Sequence, residues 1–336
     1  MNADAGIARA FAEQRALKDW VLTGVMDDAT AERAQSVLGP TPSVAAWRLF
    51  LDRLALYLGA LLIGAGVVCF IAFNWQDLSK FARFYGTQAL LVAMVAGALW
   101  LGPQRLASRA LLLLAAIVLG ALFALIGQTY QTGADTWELF AVWAALMLPF
   151  ALAGRWAPLW LLWAGLVNLA LYLWFDTGGR FGWLHSGWFG EQMWLAVGVA
   201  NLTMLACWES LGPRWLALQS RYGPRLLLMA ALAPLSLGAM LAVVDWEAPR
   251  AVSLLAWVVA MPLLFWVYRW RRIDVAALTV VALSAIAVTV TALGRWLLDF
   301  GAAEAGAWLL LALALVGMSS AAALWLMRLR RELAHD

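Results

Sequence analysis

Ten apolar runs, each about twenty residues long, constrain this chain more than any other feature. Their approximate limits are 54–73, 85–101, 109–127, 137–153, 157–175, 192–211, 225–244, 250–268, 275–294 and 305–327. Crossing a hydrocarbon core of roughly 30 Å takes about 20 predominantly apolar residues as helix. A lipid-exposed backbone must satisfy its own hydrogen bonds, which leaves helices or a closed barrel. The runs do not alternate with period two, so they are helices. Composition agrees: 65% of residues are hydrophobic and 13% charged, whereas soluble domains are nearer half apolar and a quarter charged. The expected fold class is therefore all-α, a polytopic transmembrane helix bundle of about ten spans.

Before the first run stands a short helical segment, residues 1–50. "IARAFAEQRALKDWVL" places its apolar residues at helical spacing, and "DDATAERAQSVLGP" has an Asp at its start and Gly39-Pro40 as a stop. It is not expected to be a signal peptide, because Glu13, Asp19, Asp27 and Asp28 replace a short apolar core. Three regions follow: this segment, a membrane domain over 51–175 with five spans, and a C-terminal membrane region over 176–336 with five more.

The basic residues set the expected orientation. With the N-terminus in the cytosol, 18 of the 23 fall on the cytosolic side, leaving Lys80, Arg83, Arg180, Arg250 and Arg295 outside. An even number of spans then returns the C-terminus to the cytosol. Nine acidic residues, among them Asp135, Glu138, Asp245 and Asp299, gather on the outer side.

An ionisable side chain at mid-membrane would point to a function, because it is costly to keep there. None is found: Glu209 and Asp274 lie at inner span ends and Glu138 near an outer one. The deep polar residues are neutral. Asn168 and Asn201 sit halfway along adjacent antiparallel spans and can meet in an interhelical hydrogen bond of about 1 kcal/mol; lining a polar cavity is the alternative. Ser284, Thr289 and Thr291 share the ninth span. Pro234 and Pro262 fall mid-span, where kinked packing or a transport pathway would account for them.

Several functions lack their residues. No H-E-x-x-H, G-x-S-x-G or P-loop motif occurs, so no catalytic residue is assigned and an enzyme is not expected. No cofactor or metal site is expected either; the two histidines are far apart, and Cys69 and Cys207 are read as small apolar residues packed within spans. Nucleic-acid binding has no basic-aromatic interleaving behind it. Many of the 22 tryptophans mark span ends, as an aromatic belt at headgroup depth requires. The Ala116, Gly120, Ala124 repeat lets helices approach closely, within the bundle or between copies.

Two polar stretches leave neighbouring spans on the outer side. "FNWQDLSKFARF" follows the first span, with Trp75, Leu78, Phe81 and Phe84 on one face, a pattern predicting a short helix lying in the outer interface. "IGQTYQTGADTWELF" follows the third, with a break at Gly133 and a cap at Asp135 or Thr136. A Gly-rich first span ending in "AFNW", a third ending in "IGQTYQTGAD", then "WELFAVWAALMLPFAL", resemble a family of bacterial multi-pass membrane proteins, domain of unknown function 2157, over residues 10–175. The resemblance implies a bacterial inner-membrane location and no particular activity; another membrane protein as partner is a further expectation beside the lipid bilayer. Asn74, Trp75, Gln128, Tyr130, Gln131 and Asp135 form the candidate outer binding site, for a partner segment, a small polar group or a lipid headgroup. A transporter or lipid-handling permease built around Asn168 and Asn201 is the alternative, and a purely structural or assembly protein the third.

Overall fold

The computed structural model describes residues 44–73, 79–103, 105–130, 133, 135–176, 192–216, 218, 220–245, 248–299 and 304–335, with 20, 21, 23, 25–27 and 30. Among the described residues the long elements are all helices: α1 Val44–Phe73, α2 Lys80–Leu101, α3 Leu106–Tyr130, α4 Thr136–Gly154 and α5 Ala157–Asp176. They continue with α6 Met193–Trp215, α7 Tyr222–Val244, α8 Ala248–Trp266, α9 Val275–Asp299 and α10 Glu304–His335. Each covers one expected apolar run, and α2–α10 are long and apolar enough to cross a membrane. The chain is a multi-pass membrane protein. The two predicted helices of residues 1–43 lie almost wholly outside the described residues.

The helices exceed the apolar runs where propensity carries them on. α1 begins ten residues before its run and takes in Arg48, Asp52 and Arg53, while α10 continues through Arg328–Arg331. Residues 1–65 and 66–336 form separate units, the boundary falling inside α1. Within the second unit, short connections fold α2–α3, α4–α5 and α6–α7 into antiparallel pairs, and α7 packs against α6, α8 and α9.

Packing is helix against helix, with small residues receiving large ones. Ala115, Ala116 and Val118 of α3 are fully buried, and Gly120 beside them lies under the Trp143 ring of α4. Trp143 Nε1 donates to the Ala116 carbonyl at 2.8 Å, so this stripe serves packing inside the bundle. Gly223 of α7 likewise takes the Trp208 ring of α6, and Gly198 takes Leu235. Leu227, Leu228, Leu232, Leu264, Leu278 and Val281 fill the core between α7, α8 and α9. Cys69 and Cys207 instead face outward and are exposed, which corrects their expected packing within the bundle.

The prolines do not interrupt the helices. α7 runs unbroken through Pro234 and α8 through Pro262, after which α8 loosens into a π turn, Val267–Arg271. Trp100, Trp215, Trp270, Trp296 and Trp308 stand exposed near helix ends, as an aromatic belt needs. Trp156 is the exception, buried at the α4–α5 turn.

Candidate functional site

Alternation of the helices gives the second unit two ends. One gathers the connections after α2, α4, α6 and α8 and the C-terminus, and holds most of the arginines; the other gathers those after α3, α5, α7 and α9.

The α3–α4 connection lies at the second end. Gln128 and Tyr130 occupy the last turn of α3, both exposed, and the Tyr130 ring packs against Phe84 of α2 at 5.7 Å between centroids. Gly133 then adopts φ +62°, a left-handed turn that suits glycine. Asp135 is the N-cap of α4 in backbone terms, but its carboxylate makes no capping bond. Its Oδ2, Thr129 Oγ1 and Trp137 Nε1 are buried with no hydrogen-bond partner among the described residues. Gln128, Tyr130 and Asp135 thus share one connection, while Asn74, Trp75 and Gln131 lie outside the described residues.

One expectation nearby is corrected. Lys80, Phe81, Arg83 and Phe84 form the first turns of α2, not a separate helix in the interface. Ser79 causes the change: its Oγ accepts from Ala82 N–H at 3.2 Å and starts the helix there.

At mid-depth the two asparagines meet. Asn168 of α5 donates to Asn201 Oδ1 at 3.0 Å, and Asn201 of α6 donates back to Asn168 Oδ1 at 2.5 Å. Their remaining amide hydrogens go to Ala164 and Val197 carbonyls, each 2.8 Å away. All four donors and both acceptors are occupied, so the pair is a closed interhelical clamp. Ser236 and Ser284 similarly share a hydrogen bond at 2.7 Å, and Trp257 Nε1 donates to Ser284 at 2.9 Å.

The arginine-rich end holds a charge web. Asp274, 3% exposed at its side chain, receives Arg225 Nε on both oxygens at 3.0 and 3.2 Å, with Arg221 Nε at 3.5 Å. The same carboxylate caps α9 by accepting from Ala276 and Ala277 N–H. Glu209 of α6 receives Arg221 Nη1 at 3.2 Å, and its own carbonyl receives Arg272 Nη2 at 2.7 Å. Tyr268, buried in the π turn, reaches Glu209 at 3.5 Å. Four segments are tied together by side chains whose charges satisfy one another. In sequence, Glu209 and Asp274 were visible only as lone acids beside arginine-rich connections.

A recess of about 190 Å³ opens at the second end between α6, α7 and α8, lined by Trp194, Gly238, Leu241, Arg250 and Ser253. Gly238 permits it: an added Cβ would stand 3.0 Å from Ser253 Cβ and 3.2 Å from Trp194 Cβ.

Residues 18–160 match the model of a family described as predicted membrane protein, DUF2157. Over that stretch the resemblance is borne out. The match covers the α3–α4 connection but stops before Asn168, the charge web and the recess, and is shorter than the stretch of resemblance at both ends. No curated protein and no solved structure matches the chain.

Proposed function

We propose that this chain is a bacterial inner-membrane protein, both termini cytoplasmic, which binds a partner at its periplasmic face and catalyses no reaction. The orientation rests on the arginines, which crowd the end proposed as cytoplasmic. The function rests on one contrast. Polar groups at mid-depth are consumed by one another, while at the α3–α4 connection Gln128 and Tyr130 are exposed and Asp135 and Thr129 hold unpartnered oxygens. Groups left unsatisfied at a membrane surface suit the periplasmic segment of another membrane protein or a polar headgroup. The permease reading has less support, because Asn168 and Asn201 have no donor left for a passing solute.

The test is photo-crosslinking from position 129 in native membranes, read by mass spectrometry for proteins and lipids together, with and without Gln128→Ala plus Tyr130→Ala. One adduct that the double substitution removes, at unchanged melting temperature, supports the proposal; adducts indifferent to it overturn it. For orientation, a single cysteine at Gln128 in a Cys69/Cys207-free background should react with an impermeant maleimide in intact spheroplasts. One at Arg271 should not.

A further inference from the structure

We propose that the neighbouring ends of α8 and α10 form a docking surface for an anionic phospholipid, its phosphate held by Arg271 and Arg328. Both helices end opposite the α3–α4 connection and lie outside the family match, so this surface and the one proposed above can fail separately.

Sequence supplies the charge. Residues 266–273, "WVYRWRRI", and 325–332, "WLMRLRRE", carry three arginines each and a single acid between them, Glu332. Folding then joins the two stretches. The Phe265 ring of α8 stacks on Trp325 of α10 at 5.7 Å between centroids, and Arg269 Nη2 reaches Glu332 at 3.9 Å. Arg328 follows Trp325 by three residues and precedes Glu332 by four, so it shares the side of α10 that meets α8.

Use sorts these arginines. Arg272, like Arg221 and Arg225, is taken up by the charge web. Arg271 and Arg328 are exposed, and neither has an acid partner among the described residues. The Arg271 guanidinium lies over the Trp266 ring, 5.3 Å from its centroid. Stacking occupies the face of a guanidinium and leaves its in-plane N–H donors open, the fork that fits a phosphate.

The flank of α8 selects a lipid over a free anion. Val259, Leu263 and Trp266 follow one another at spacings of four and three, which puts them on one helix face, and all three are exposed. The surface therefore passes from arginine through indole to aliphatic side chains. A phospholipid runs the same way, from phosphate through its glycerol to its tails, whereas a soluble anion would meet only the first part. Indole rings stand at headgroup depth, and basic clusters between spans favour headgroups of net negative charge.

The experiment uses the full chain in nanodiscs of phosphatidylcholine and phosphatidylglycerol in equal parts, with the lipid that stays bound after detergent release counted by native mass spectrometry. Wild-type protein should retain phosphatidylglycerol in excess. Arg271→Gln and Arg328→Gln should each lower that excess about fivefold, the effect of one arginine near an anionic membrane surface. The double substitution should leave no preference. Arg105→Gln removes the same charge at the same end, but from the α2–α3 connection, and should leave the excess as it is. An equal loss with Arg105→Gln overturns the proposal, because the overall charge of that end would then suffice. A double variant that still prefers phosphatidylglycerol overturns it as well. Inorganic phosphate added at constant ionic strength should not displace the lipid; displacement assigns the surface to a free anion and sinks the lipid reading. Melting temperatures of the variants should match wild type, since Arg271 and Arg328 hold no ion pair among the described residues.

Discussion

The two ends of the bundle spend their charges differently. At the arginine-rich end, ion pairs join residues far apart in sequence: Arg225 to Asp274, Arg221 to Glu209, Arg269 to Glu332. The two carboxylates at its centre are nearly buried. Among the described residues the pairs at the other end are local, Arg250 with Asp245 and Arg295 with Asp299, and their acids are more than half exposed. Long-range buried pairs hold helices together and leave nothing over. Short-range pairs with exposed acids hold little, which is why rigidity is sought at the arginine-rich end.

The contrast is broken most severely at Asp274. Asp274→Ala removes the α9 cap, about 1 kcal/mol, and the carboxylate that Arg225 bonds, about 2 kcal/mol, for a total of about 3 kcal/mol. Denaturant titration in detergent should show a loss of that size. An unaltered midpoint would mean that the web is ornamental and the ends are alike.

Smaller effects come from the packed interior. Gly120→Ala and Gly223→Ala drive a methyl into the Trp143 and Trp208 rings, and overpacking of this kind costs about 1–3 kcal/mol. Trp143 must also give up its bond to Ala116, so its fluorescence should shift in the first variant. Replacing Asn201 with Leu should cost about 1 kcal/mol, the usual worth of a polar contact between spans. The Asn168/Asn201 double substitution should cost less than the two single ones added, and strict additivity would deny the clamp. Asp245→Asn comes last, with a stability change under about 0.5 kcal/mol. A larger change would erase the difference between the ends.

Much of the architecture was legible because lipid imposes a length. Each apolar run had to become a helix, and alternation then fixed which connections share an end. The asparagine pair was legible for the same reason, since two mid-depth residues on adjacent antiparallel spans have equal depth. The α2 start was misread, because Ser79 supplies a cap that the amphipathic pattern does not reveal. The charge web was hidden because counting arginines treats them as topology signals, and it takes the folded connections to show that Arg221 and Arg225 have buried acids to meet. The recess was hidden further, since it depends on how closely α7 and α8 approach at Gly238, and no periodicity encodes that distance.

The clamp between Asn168 and Asn201 has a consequence for how the sequence can drift. Each amide supplies the other's only side-chain partner, and both lie beyond the residues that the family match covers. Losing one leaves a polar amide to lipid or to apolar neighbours, so neither position should change alone. Homologous chains should carry a hydrogen-bonding residue at both positions or at neither. A relative that ends after its first five spans should be found with leucine, valine or alanine where this chain has Asn168.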